Sequence, residues 1–247
     1  MRMTGNFRAL KRASVFLLLL VACRPPNPKS AILLFNGTGT SPNDVRAIEA
    51  LLEARGLEYS TADSRELNGM SESRLAAHRL LIIPGGNYIK MAGGLNSQTA
   101  TNIHNAVGSG LNYLGICAGG LLAGSGTNQI FNLTGGVRFD FYTLVNRGIH
   151  KAAVPITRVE GATLEHYWED GPQLSGWGAV VARYPDGMPA VAQGHSGRGW
   201  VILCGMHPEA PEDWRQGMTF KTPAREDNAY AAELIHAALE GKSLPHY

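Results

Sequence analysis

The sequence predicts an α/β protein: a doubly wound, mostly parallel sheet with an antiparallel extension in its C-terminal half. Three observations carry that expectation. The runs "AILLFNG" (31–37), "RLLIIPGG" (79–86) and "LNYLGIC" (111–117) are continuously apolar, as strands covered on both faces of a parallel sheet tend to be. Helical segments joined by short glycine-rich loops separate them, and such strand–helix alternation winds right-handedly. From about 135 to 205 the pattern changes to closely spaced strands with Gly/Pro turns, which favours antiparallel pairing.

The 31–37 strand opens the domain. Ser41-Pro42-Asn43-Asp44 then reads as a helix start, with Ser41 as N-cap, Pro42 at the first position and Asp44 completing a capping box. Val45, Ile48 and Leu52 form the apolar stripe of that helix, and Gly56 ends it. "LEYSTAD" (57–63) is a second strand, 79–86 a third, 97–108 a helix with Ala100, Ile103 and Val107 on one side, and 111–117 a fourth strand. "KAAVPITRV", "ATLEHYW", "GAVVARY", "PAVAQGH" and "GWVILCGM" are the strand candidates of the second half. A helix at roughly 225–240, closed by Gly241, completes the chain, and no internal repeat is visible.

A composition of 44% hydrophobic and 17% charged residues over 247 positions is that of a globular protein with a substantial core, enough for one large domain or two small ones. Residues 1–22 differ from the rest. Arg2, Arg8, Lys11 and Arg12 precede the apolar run "ASVFLLLLVA", with no acidic residue, which reads as a secretory signal too short to span a bilayer. The run ends in Leu20-Val21-Ala22-Cys23, similar to a bacterial lipobox, so Cys23 is the expected lipidation site; the plainer alternative is an ordinary signal peptide. "RPPNPKS" (24–30) then serves as a stiff Pro-rich tether. The expected organisation is a lipoprotein-type signal peptide at 1–22, a tether at 23–30 and a domain at 31–247, exported and lipid-anchored in a bacterial cell envelope. Losing the four basic residues of 1–22 turns the formal charge from +2 to −2, since 22 Lys+Arg stand against 20 Asp+Glu. No nucleic-acid partner is expected from such a balance.

Three features stand at the ends of apolar strands, where open α/β sheets place ligands. Gly115-Ile116-Cys117-Ala118-Gly119 resembles a nucleophile elbow: glycines permit a strained turn and close approach of neighbouring chain, and a following helix would lower the thiol pKa. "GMHPEA" (205–210) sets His207 beside Glu209, a base and a carboxylate able to orient it. "IIPGGN" (82–87) presents backbone N–H groups at Gly85 or Gly86 that, with Ala118, could hold an oxyanion. Taken singly, each has a plainer reading as a buried structural Cys, a surface His with a solvated Glu, and an ordinary turn.

Together the three resemble the class I glutamine amidotransferase superfamily. Within it, "LLFNGTGTS", "LLIIPGGNY", "YLGICAGG" and "VVARYPDGMPAVAQGHSGRGWVILCGMHPEA" look most like the N-terminal domain of biotin–protein ligases and its stand-alone bacterial lipoprotein form. The resemblance spans residues 31–240 and so implies one domain. It also implies a flavodoxin-like sheet, a Cys117–His207–Glu209 triad, and an oxyanion hole of Gly85 or Gly86 with Ala118. One departure bears on the substrate. The family's glutaminases continue G-x-C-x-G-x-Q, whereas here that position is Leu121, which offers no hydrogen bond to a glutamine. The chain also carries neither a ligase nor a synthetase module. The expected activity is hydrolysis of an amide-type bond in an unidentified small-molecule or peptide substrate, with a non-catalytic ligand-binding lipoprotein as the alternative.

Other residues carry weaker signals. Asn36, Asn87 and Leu121 are candidate cleft residues, Asn36 because Asn36-Gly37-Thr38-Gly39 ends the first strand. His195 reads as a turn histidine and Glu169-Asp170 as turn acids. Trp168, Trp177 and Trp200, on strand candidates, read as core. No metal spacing such as HExxH or CxxC occurs and the glycine-rich loops lack a phosphate-loop Lys, so no metal and no cofactor are expected. Cys204 stands three residues before His207, and a disulfide to Cys117 would silence the site if the bridging geometry allowed. The oligomeric state stays open.

Overall fold

The computed structural model describes Met1 and residues 30–247; the expected leader, Cys23 and nearly all of the tether lie outside the described residues. Strand β1 (Ile32–Phe35) is buried at every position, and alternate residues serve opposite sides of the sheet: Ile32 and Leu34 join one core, Leu33 and Phe35 the other. The first core is covered by α1 (Pro42–Ala54), which supplies Val45, Ile48 and Leu52, and by the C-terminal helix. After β2 (Tyr59–Ala62) come two short helices, α2 (Ser64–Asn68) and α3 (Glu72–Leu75), which the sequence reading did not anticipate. Strand β3 (Leu80–Ile83), the unanticipated α4 (Tyr88–Gly94), α5 (Ser97–Gly108), β4 (Asn112–Ile116) and α6 (Ala118–Leu122) complete the first half.

In the second half, β5 (Asp140–Phe141) pairs with β8 (Pro172–Gln173) in a small ribbon beside the main sheet. Strands β6 (Lys151–Arg158), β7 (Thr163–Glu169), β9 (Ala179–Arg183), β10 (Pro189–Ser196) and β11 (Gly199–Cys204) lead to helix α7 (Ala224–Glu240), closed by Gly241 at φ 64°. The main sheet has nine strands in the order β2-β1-β3-β4-β11-β10-β9-β6-β7. Pairing is parallel from β2 to β11 and antiparallel from β11 outward, the doubly wound sheet with an antiparallel extension that the sequence predicts. No helix among the described residues is long and apolar enough to cross a membrane.

Three local readings need correction. Ser41 does cap α1, accepting from the Asp44 N–H at 3.3 Å, but Asp44 does not close a capping box. The Ser41 N–H is already taken by the Gly85 carbonyl at 3.1 Å, which frees the Asp44 carboxylate to turn inward. His195 lies on β10 rather than in the turn, its ring edge-on to Trp200 at 4.8 Å. Trp177 lies in a turn between β8 and β9, and of the three tryptophans only Trp168 is fully buried.

Candidate active site

The parallel strands deliver their C-terminal ends to one edge, and the site is assembled there. Strand β4 stops at Ile116, and Cys117 follows at φ 49°, ψ −105°, a left-handed conformation that a non-glycine residue adopts only when its surroundings impose it. Those surroundings are backbone. The Cys117 N–H donates to the Cys204 carbonyl at 2.7 Å, which ties the turn to β11. A Cβ on Gly119 would lie 2.0 Å from the Ile83 carbonyl oxygen, and one on Gly115 would lie 2.5 Å from that of Gly119. Both glycines are therefore required by close approach, as the G-x-C-x-G reading supposes. The helix behind the elbow is shorter than expected. α6 has five residues, so polarisation of the sulfur reduces to a single turn with unpaired N–H groups, Ala118 first among them.

His207 follows β11 and is anchored by its N–H to the Tyr167 carbonyl at 2.8 Å. The rings of Tyr167 and Trp214 stand edge-on to it at 5.7 and 5.8 Å. Its Nδ1 lies 2.9 Å from Glu209 Oε1, the contact the His-x-Glu motif predicts, and also 3.0 Å from Asp44 Oδ1, which the motif does not. With Nδ1 committed, Nε2 is the ring nitrogen left for the cleft. Burial pulls the His207 pKa down, but the charges of Cys117, Asp44 and Glu209 outweigh it and hold the pKa well above its usual value. Burial pushes the Glu209 carboxyl up. For Asp44 burial also acts upward, but His207 overcomes it and the carboxyl is lowered. Among the described residues Asp44, His207 and Glu209 bring three potential metal ligands within 4.8 Å of one another. The Nδ1 spacings to both carboxylates are also those of hydrogen bonds about a ring N–H.

Cys117, Ala118, Gly86, Asn87, Leu121 and His207 all line one cleft of about 420 Å³. Gly85 stands behind it: a Cβ there would lie 2.1 Å from Asp44 Oδ1 and 2.6 Å from His207 Cε1. Gly86, at φ 144°, faces Thr40 in an isolated bridge whose two hydrogen bonds are made by the flanking residues, Ser41 to Gly85 and Asn87 to Gly39. The Gly86 N–H is thereby left out of the ladder. Asn87 spends its side chain capping α4, accepting from the Lys90 N–H at 3.0 Å. Asn36 is exposed and is not part of the cleft, because β1 ends before reaching it and the chain turns away through Gly37. Glu169 and Asp170 are not mere turn acids. Both line the cleft, and the Cys117 thiol donates to the Glu169 carbonyl at 3.4 Å rather than to His207. Cys117 and Cys204 are both free thiols, and burial drives the Cys204 pKa far upward. A larger depression of about 590 Å³ beside α5 has His104 as its single titratable side chain.

Sheet order and strand-end loops give an α/β fold similar to that of a solved glutamine amidotransferase. Residues 30–150 match the family described as biotin-protein ligase, N terminal. No curated protein matches the chain. Among solved structures it is similar to PurLQS from Thermotoga maritima, at 17% identity and a TM-score of 0.55, over 83% of this chain and 97% of that one. It is also similar to a glutamine amidotransferase from the same organism, at 13% identity and a TM-score of 0.53, over 85% of this chain and 88% of that one. An exo-β-1,4-mannosidase from Opitutaceae bacterium strain TAV5 shares the fold at 15% identity and a TM-score of 0.55, over 82% of this chain and 36% of that one. These likenesses concern the fold, which by itself does not fix chemistry.

Proposed function

We propose that the cleft hydrolyses an amide-type bond through Cys117, on an exported protein tethered by a lipid at Cys23. The observation that carries this reading is the meeting of a strained cysteine elbow and a carboxylate-bound histidine in one cleft. His207 Nε2 takes the thiol proton, and the sulfur attacks the substrate carbonyl carbon. The Gly86 and Ala118 N–H groups hold the resulting oxyanion, with Gly85 supporting the base rather than the oxyanion. Collapse of the tetrahedral intermediate breaks the C–N bond, and the His207 imidazolium hands its proton to the departing amine. Water, deprotonated by His207, then attacks the acyl-thioester, releasing the carboxylic acid and returning the thiol.

The lining also constrains the substrate. Leu121, 3% exposed, supplies no hydrogen bond where a glutaminase has Gln, which disfavours glutamine. Tyr88, Ile89 and Phe141 give the cleft an apolar side, while Glu169 and Asp170 stand on it with no Lys or Arg in the lining. Amides that are neutral or cationic near an apolar group fit better than carboxylate-bearing ones. The orientation of the thiol favours a second reading, a ligand-binding cleft without turnover, since Cys117 donates to the Glu169 carbonyl and not to the ring. Catalytic hydrogen bonds are often completed only with substrate bound. The deciding experiment labels wild type and Cys117→Ser with a thiol-directed activity probe, then screens neutral, cationic and anionic amides and peptides. Hydrolysis lost in Cys117→Ser supports the enzyme; saturable binding with no acyl adduct and no turnover supports the binding protein.

A further inference from the structure

The turn that carries Glu209 is held from outside. Residues 205–210 are irregular except where His207 bridges to Tyr167. The Ala210 N–H donates to the His207 carbonyl at 3.2 Å and closes a tight turn with Pro208 and Glu209 as its central residues. The carbonyls of Pro208 and Ala210, on either side of Glu209, then have no backbone donor among the described residues. Both are answered by one side chain. Asn228 Nδ2 donates to the Pro208 oxygen at 3.0 Å and to the Ala210 oxygen at 3.2 Å. A side-chain amide has two N–H donors, and both are spent here on the two carbonyls that straddle Glu209. Asn228 stands on the better-fixed side of this contact. Helix α7 has 17 residues and buries Tyr230, Leu234 and Ile235 in the first core, while the fully buried Asp227, next to Asn228, pairs with Arg215.

Where that turn sits decides where the carboxylate falls. Glu209 Oε1 accepts from His207 Nδ1 at 2.9 Å, but Oε2 has no partner among the described residues. With no hydrogen bond on its second oxygen to aim it, the carboxylate follows its backbone. Functional groups need placement to within about 0.5 Å, which an irregular turn reaches only through supports of this kind. We infer that Asn228 is a positioning residue for the proposed base. By holding the 207–210 turn against α7 it aims Glu209 at His207 Nδ1, which leaves Nε2 for the cleft. The consequence for thiol reactivity rests on the reading of His207 as the base for Cys117; the aiming of Glu209 stands without it.

The test compares wild type, Asn228→Ala and His207→Asn by ¹⁵N NMR of the histidine rings and by the rate of Cys117 alkylation with iodoacetamide near pH 6. The wild type should show a downfield Nδ1–H resonance that is absent in His207→Asn. In Asn228→Ala that resonance moves or broadens and alkylation of Cys117 falls about fivefold, the scale of one lost hydrogen bond, while urea unfolding stays cooperative. A resonance that stays in place overturns the inference whatever happens to stability, because a simple structural brace would lower stability alone. Its absence from the wild type overturns the inference too. So does unchanged alkylation in Asn228→Ala where His207→Asn is slowed. Should His207→Asn alkylate as fast as wild type, it is the Cys117–His207 pairing that fails. The resonance then judges Asn228 by itself, supporting the inference if displaced and refuting it if unmoved. Should Asn228→Ala fail to fold, Asn228→Ser carries the same comparison.

Discussion

Cys117 and His207 stand at the ends of adjacent parallel strands, with Ile116 of β4 opposite Cys204 of β11, yet different physics holds each in place. The cysteine is fixed by backbone: a positive φ, a 2.7 Å hydrogen bond from its N–H, and two glycines pressed against carbonyl oxygens. The histidine is fixed by side-chain charge and aromatic edges: two carboxylates at 2.9 and 3.0 Å and the rings of Tyr167 and Trp214. Steric positioning fails abruptly when an atom is added, because a close-packed backbone has nowhere to move. Electrostatic positioning fails by degrees, because removing a charge shifts a protonation equilibrium. Substitutions on the two sides should therefore differ in kind, with stability lost on the cysteine side and reactivity on the histidine side.

The largest expected effect is Gly119→Ala, whose Cβ would fall 2.0 Å from the Ile83 oxygen and 2.8 Å from its carbonyl carbon. The cost is about 3 kcal/mol or more, read from denaturant unfolding. A loss below about 1 kcal/mol would mean the elbow is not sterically locked. Next comes Gly85→Ala on the other side. Its Cβ meets side-chain atoms of Asp44 and His207 rather than backbone, so the base shifts while the sheet survives. Cys117 alkylation near pH 6 should fall about tenfold, against a stability cost of only about 1–2 kcal/mol. Equal damage to stability from both glycine variants would erase the contrast between the two sides.

A smaller effect concerns pH. The raised His207 pKa contributes stability present below its unfolded value, roughly 6.5, and lost as pH rises through the folded pKa. The lowered Asp44 pKa contributes stability present above its unfolded value, roughly 3.9, and lost as pH falls through the folded pKa. The stability difference between wild type and Asp44→Asn is thus largest between about pH 4 and 6.5 and shrinks on either side, as urea titrations across pH would record. A difference flat in pH would point to packing alone. The smallest effect is selectivity of the cleft mouth. A cationic methanethiosulfonate should modify Cys117 a few-fold faster than an anionic one at low salt, by about threefold, with the gap narrowing as salt is added. Anionic preference would contradict the assignment of Glu169 and Asp170 to the cleft.

Much of this was legible in the sequence because it rests on local rules. The helix at Ser97–Gly108 is delimited by its period and by Asn96, which accepts from the Thr99 N–H, and the buried strands announce themselves by composition. The elbow was legible because close backbone approach leaves glycines behind. Helices α2, α3 and α4 escaped because none is long enough to show a helical period; their caps, Asp63, Ser71 and Asn87, were the only signal. Asp44 escaped for a different reason. Ser-Pro-Asn-Asp satisfies a local capping rule, and only the Gly85 carbonyl, which occupies the Ser41 N–H, reveals that the carboxylate is free to serve a histidine in the loop after a distant strand. Its place in the first strand-to-helix connection, at the ligand-binding edge of the sheet, was the available clue. Glu169 was hidden in the same way, since its contribution to the thiol comes from a main-chain carbonyl that no side-chain motif encodes.

The nucleophile itself is tested most directly by the rate of Cys117 alkylation from about pH 5 to 9 in wild type and in His207→Asn, the profile by which thiolate is told from thiol. Near pH 6 the wild type should be alkylated at Cys117, and His207→Asn should lose about a hundredfold. Identical profiles, or alkylation confined to Cys204, would contradict the assignment of Cys117 and His207 as a working pair.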